Sequence, residues 1–249
     1  LLLLAIHFHD VGNVCGRQEH EKKIDDIITA LGDRLPLDTP EKVMVSDIAT
    51  AHGGYADIDH TDKDTLRHLS LIDNCNGIII RPALLGAILR FADELSDDST
   101  RANRYLNATG QIPSENMIFH AYSAALSPIA FNGNTIAFKY YIPFEQAKNR
   151  IPNDTGSFLY DEIIKRLSKC MQELEYCSKY SEGFIRISTL SVEIHIMNPV
   201  TTHRPMNTLK FSLRLSGYPN AYAIPEDTLT FKTGEALAAH FATQAEVKS

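Results

Sequence analysis

Residues 5–13 read AIHFHDVGN, and they follow four leucines at positions 1–4. Two histidines and an aspartate close an otherwise apolar segment. A carboxylate withdrawn from water costs several kcal/mol unless it is paired or faces a cation, so this segment either ends at the surface or meets positive charge there. The spacing predicts a helix that stops near Gly12, a residue suited to a C-terminal cap, which puts His9 and Asp10 in the closing turn. A helix seldom begins with four core leucines and no capping residue, so Leu1 reads as a position inside a helix, with further chain expected before it.

The 249 residues are 44% hydrophobic and 22% charged, the composition of a soluble globular protein with one large or two smaller domains. A formal charge of -7 with no clustered Lys or Arg argues against a nucleic-acid partner. Cys15, Cys75, Cys170 and Cys177 lie far apart without a CxxC pair, which excludes a zinc ribbon or a disulfide scaffold and makes a reducing cytoplasm the expected location. The LLLLAI run is too short to span a bilayer and has no basic leader, so neither a membrane partner nor a signal peptide is expected.

Helical spacing continues to about residue 107. Ile24, Ile27, Ile28 and Leu31 define a second helix before Gly32, and Thr39-Pro40 reads as the cap and first turn of a third. That third helix closes at His52, just before Gly53 and Gly54. Residues 53–77 read as polar and irregular. Pro82 opens a helix that is apolar on most sides through Leu95, with Asp93 embedded in it. Beyond about residue 115 the pattern alternates. Residues 135–142, 187–197 and 207–215 read as strands, Asn132-Gly133 as a hairpin turn, and 157–181 as a long amphipathic helix. The expected fold is α+β: an all-helical domain over 1–110, then, over 111–249, an antiparallel sheet packed with a long helix.

His9 and Asp10 point about 100° apart on a helix, yet at a helix end both reach an ion beside the last turn. Imidazole with carboxylate suits magnesium or a first-row transition ion. Asp93 supplies the second carboxylate, because an unpaired one in so apolar a helix would be heavily penalised. "HFHDVGN" together with "LLGAILRFADELSDD", residues 84–98, resembles the HD-domain superfamily of metal-dependent phosphohydrolases over roughly residues 1–107. The resemblance implies a helical bundle in which His9, Asp10, Asp93 and a histidine upstream of Leu1 hold a divalent cation, whether Mn, Mg, Zn or Fe. It also brings in His20 and His52 as catalytic residues, contacting a second metal or the substrate phosphate. Asn13 stands where many members have lysine. His7 lies on the other side of its helix from His9, and His120, His195 and His203 show no ligand spacing.

Arg17, Arg90 and Arg101, with Arg104, are the available phosphate partners, since guanidinium recognises phosphate oxygens in a bidentate way. Pairing of Arg90 with Asp93 and of Asp97 with Arg101 along the helix is the competing reading. The expected function is metal-dependent hydrolysis of a nucleotide or related phosphate ester or anhydride by activated water. The alternative is a degenerate HD-type regulatory module that binds a nucleotide or a protein partner, and a homo-oligomer is compatible with either. A di-iron oxygenase is the third option.

Overall fold

The computed structural model describes residues 1–16, 18–97, 99, 102, 109–152, 156–201, 204–217, 223–225 and 227–246. The chain forms two compact units, one made of Leu1–Glu94 with Glu173–Arg186, the other of Leu95–Gln172 with Ile187–Ser249.

The first unit is built on helices α1 (Leu2–Phe8), α2 (Ile24–Leu31), α3 (Thr39–Thr50) and α4 (Pro82–Glu94). Ala5, Ile24, Ile28, Met44, Val45, Ile48, Ala49 and Leu89 form its core, and Leu1, Leu2 and Leu4 pack against it. The leucine run is therefore one wall of a helical core. Helix α3 is capped by Asp38 rather than Thr39: the Asp38 carboxylate accepts from the Glu41 N–H at 3.0 Å and the Glu41 carboxylate accepts from the Asp38 N–H at 3.1 Å, a reciprocal box that places Thr39 and Pro40 in the first turn.

The unit is not all-helical. Strands β1 (Asp73–Cys75) and β2 (Ile78–Ile80) form an antiparallel hairpin within and just beyond the stretch that reads as irregular. Asn76 and Gly77, at φ 55° and 82°, make its two-residue turn. Asn-Gly favours that left-handed pair of conformations, and three residues on either side are too few for alternation to show.

The second unit holds α5 (Met117–Ala125), β3 (Ala130–Asn132), β4 (Thr135–Pro143), α6 (Phe144–Lys148), β5 (Thr189–Met197), β6 (Pro205–Arg214) and α8 (Gly234–Glu246). Helix α7 (Leu159–Tyr180) begins here and carries its residues from Glu173 onward in the first unit. The α+β class stands. The sheet has the order β3-β4-β5-β6 and is mixed: β3/β4 and β5/β6 are antiparallel, whereas β4 and β5 run parallel from Thr135↔Thr189 to Pro143↔Met197. That corrects the antiparallel expectation at one pair. Alternation reports which residues share a face, not the direction of the strand; α6 and α7 lie between β4 and β5 in sequence, and so long a crossover allows a parallel return. Ile136, Phe138, Tyr140 and Ile142 of β4 are buried with Leu190, Val192, Ile194 and Ile196 of β5. Arg166 of α7 covers the Tyr122 ring, 4.4 Å from its centroid, and the Tyr122 and Tyr140 hydroxyls meet at 3.3 Å. Among the described residues no helix is long and apolar enough to cross a membrane.

Candidate metal centre

Four pieces of the first unit converge. Helix α1 ends at Phe8, with His9 as its C-cap, and a 3-10 turn follows over Val11–Cys15. The doublet therefore sits at the helix end itself, four residues before the expected stop. His20 opens a second 3-10 turn, His20–Lys23, after Glu19 at φ 54°. His52 lies immediately past Ala51, the C-cap of α3. Asp93 is in the last turn of α4.

The His9 Nε2 lies 3.5 Å from Asp10 Oδ2 and 3.6 Å from Asp93 Oδ1. The other oxygen of the same carboxylate, Asp10 Oδ1, lies 3.2 Å from His20 Nε2, and His20 Nε2 lies 3.3 Å from His52 Nε2. Two ligand groups result, His9/Asp10/Asp93 and Asp10/His20/His52, each with its donor atoms within 4.8 Å of one another. Ligands about 2.1 Å from one cation stand about 3 to 4 Å apart, so small inward movements suffice. Asp10 belongs to both groups. His7, by contrast, is exposed, and His195 sits on the sheet with Nδ1 3.0 Å from the Thr208 hydroxyl.

The protonation pattern tests whether a cation fits. His52 Nδ1 lies 2.6 Å from the Ala49 carbonyl and His9 Nδ1 2.7 Å from the Ile6 carbonyl. A carbonyl only accepts, so both Nδ1 atoms carry the proton and both Nε2 atoms are left for the site. Burial holds the His52 imidazole below its ordinary value of 6.5 and so keeps it neutral; its Nε2 offers a lone pair toward His20 and Asp10. Two facing imidazole nitrogens beside two carboxylates fit a divalent cation, the ion identity staying open between the hard and borderline members.

His9 moves the other way: chiefly through the Asp93 carboxylate beside it, it holds its proton above the ordinary 6.5. With metal withheld by a chelator, the two shifts act on stability with opposite signs. His9 binds its proton more tightly when folded, so its contribution is full below 6.5 and is lost as pH rises through the higher folded value. His52 binds its proton more weakly when folded, so its contribution is full above 6.5 and is lost as pH falls through the lower folded value. The melting temperature of the chelated protein is expected to pass through a maximum near pH 6.5. His52→Gln should flatten the acid limb and His9→Gln the alkaline limb; a profile unchanged by both substitutions would contradict these assignments.

The arginines fare differently. Arg17 and Arg101, with Arg104, lie outside the described residues, as do Asp98 and His203. Arg90 does not face the centre with a free fork. Its Nε and Nη2 donate to Glu173 at 2.7 and 3.1 Å, and Nη1 donates to the Thr65 hydroxyl at 3.0 Å and the Lys63 carbonyl at 3.2 Å. The guanidinium also covers the Tyr176 ring, 4.4 Å from its centroid. Arg90 thus fastens the end of α7 to α4, and Asp97 pairs instead with Arg166. Arg90→Ala leaves Glu173 as a poorly exposed, unpaired carboxylate, and removing one partner of such a pair costs about 3–5 kcal/mol. Urea unfolding should show that loss, with Arg90→Lys recovering only part of it because ammonium lacks the fork.

Sequence reasoning overlooked Glu21. It lies in the charged run HEKK, which reads as a solvated face, but it is 7% exposed and its Oε2 lies 3.4 Å from His20 Nδ1. No periodicity marks a 3-10 turn of four residues.

A helical unit that brings a His-Asp doublet at one helix end to an aspartate in a later helix is a domain of the HD type. The chain belongs to the HD-CE family, whose model matches residues 1–169. The match runs past the helical unit through β3, β4 and the first half of α7. No curated protein and no solved structure matches the chain.

Proposed function

We propose that the chain is a metal-dependent phosphohydrolase acting on a nucleotide or a related phosphate ester or anhydride. The observation that carries this reading is the Asp10 carboxylate, one oxygen of which faces His9 and the other His20. A divalent cation bound there supplies charge that lowers the pKa of water toward neutrality and offsets the phosphoryl oxygens.

The protein's own part is to present donors in fixed directions. Asp10 and Asp93 contribute two negative charges, and His9 and His52 present Nε2 because their Nδ1 protons are held by Ile6 and Ala49. With Nε2 of His20 and His52 beside Asp10, these two histidines act as ligands in this reading rather than as proton donors to a leaving group. Metal content separates the roles: His52→Ala should lose metal and turnover together, whereas a proton donor would lose turnover alone. Phosphate recognition by Arg17 and Arg101 stays part of the proposal, as does a cytoplasmic setting.

The test incubates the full chain with deoxynucleoside triphosphates, cyclic nucleotides and guanosine alarmones in manganese, magnesium or chelator. Hydrolysis of at least one class, dependent on the added ion, is the expected result. Metal bound tightly with no hydrolysis across the panel would favour the regulatory module instead.

A further inference from the structure

His9 and His52 obtain their Nδ1 partner from the carbonyl three residues earlier, a geometry that a helix end provides. His20 stands at the start of a 3-10 turn, behind a residue of left-handed conformation. Beside its Nδ1, at 3.4 Å, is the carboxylate of its own neighbour Glu21. Glu21 is 7% exposed, and a carboxylate that far from water needs an engagement. The carboxylate is seated against Gly54. A Cβ at that position would fall 2.3 Å from Glu21 Oε1 and 2.8 Å from Cδ, and Gly54 has φ +74°. The chain thus has a glycine where any side chain would push this carboxylate away.

An ionised carboxylate accepts and cannot donate. Without a cation, Asp10 Oδ1 at 3.2 Å and the His52 Nε2 lone pair at 3.3 Å draw the His20 proton to Nε2; a cation on that side takes the Nε2 lone pair, and the proton then stands on Nδ1, where the Glu21 carboxylate accepts it. Carboxylates that fix the tautomer and ring direction of a ligating histidine tune metal affinity by about 10–100-fold.

We propose that Glu21 is a positioning residue of the metal centre: its carboxylate, seated against Gly54, accepts the His20 Nδ1 proton when a cation takes the Nε2 lone pair beside Asp10 and His52. The proposal rests on the metal-centre reading above, and metal binding by the wild type tests that reading separately. Two variants reach the carboxylate by different routes, since Glu21→Leu removes it and Gly54→Ala displaces it. Glu21→Gln keeps an oxygen acceptor in place and serves as the conservative rescue.

The experiment uses the full chain, labelled with nitrogen-15, at pH 8 in chelator and then in magnesium, where two-bond nitrogen–proton couplings report the tautomer of His20. The wild type should pass from the Nε2–H form in chelator to the Nδ1–H form in magnesium. Glu21→Leu and Gly54→Ala should keep more of the Nε2–H form at the same magnesium concentration, and Glu21→Gln should recover most of the Nδ1–H signal. In parallel, calorimetric titration with manganese should show affinity about 10–100-fold weaker in the first two variants and less weakened in Glu21→Gln. A metal-loaded wild type with His20 still in the Nε2–H form, or a metal-loaded tautomer unchanged in both disruptive variants, overturns the assignment. If Glu21→Leu does not fold, Gly54→Ala and Glu21→Gln decide the question. A wild-type chain that binds neither ion would defeat the metal-centre reading and the role of Glu21 with it, whereas metal bound equally well by wild type, Glu21→Leu and Gly54→Ala would overturn the role of Glu21 alone.

Discussion

Asp10→Ala should abolish divalent-cation binding in both halves of the centre and, with it, hydrolysis. Of the residues brought together here, Asp10 alone belongs to both ligand groups, with Oδ2 3.5 Å from His9 Nε2 and Oδ1 3.2 Å from His20 Nε2. Removal strips one donor from each group and halves the carboxylate charge that offsets the cation, leaving Asp93 as the remaining carboxylate of the two groups. Changes one layer out from a metal typically cost about 10–100-fold in affinity or activity, so loss of a direct carboxylate donor shared by two groups should cost at least about 100-fold. Asp93→Ala provides the contrast, because it touches only the His9 group and should leave the Asp10/His20/His52 group able to bind. The measurement is metal content and calorimetric affinity for manganese, set beside turnover on whichever nucleotide class the wild type hydrolyses. Wild-type affinity in Asp10→Ala would remove the metal centre from the reading, and metal-independent hydrolysis that survives the substitution would remove the mechanism.

The parts of this centre that could be read from sequence are those where polarity contradicts its surroundings. Asp93 in an apolar helix, and His-Asp at the end of a leucine run, stand out as polar groups in apolar runs; the expected burial is not what the structure shows, since the Asp10 and Asp93 side chains are 50% and 39% exposed, but it brings both within 3.6 Å of the His9 Nε2. Glu21 does not stand out, since a glutamate between a histidine and two lysines is ordinary on a surface, and only the close approach of Gly54 from 33 positions further along shows that it is enclosed. Arg90 shows the opposite failure. Chemistry suited to phosphate equally suits a carboxylate, and Glu173, 83 positions away, takes the fork. Among the strands, Asn132-Gly133 is legible because β4 beside it is nine residues long, whereas Asn76-Gly77 joins strands of three. The parallel pairing of β4 with β5 has no local signature, because strand direction depends on the path of α6 and α7.

Gly12→Ala should be the most damaging single-methyl change in the first unit and should act on one half of the centre. Gly12 has no positive φ, so alanine meets no conformational penalty there; the obstacle is space. An added Cβ would lie 1.9 Å from the His20 carbonyl oxygen, 2.7 Å from its carbon and 3.1 Å from its Cα. All three are backbone atoms, so no rotamer change relieves the overlap and the His20–Lys23 turn must shift. Forced overpacking costs about 1–3 kcal/mol, occasionally more, and a displacement of about 1 Å in a functional group can cost about 100-fold in activity. The shift carries away His20 and, with it, the neighbouring Glu21, while His9, the C-cap of α1, and Asp93, on α4, keep their positions. The expected result is a lowered melting temperature with loss of affinity confined to the Asp10/His20/His52 group, unlike Asp10→Ala, which should lose both groups. Gly53→Ala is the matched control: it lies directly after His52, has no positive φ, and its added Cβ meets nothing within 4 Å, so stability and metal affinity should stay at wild-type levels. Equal, mild effects of the two substitutions would show that the contact between Gly12 and His20 does not set the position of the second histidine.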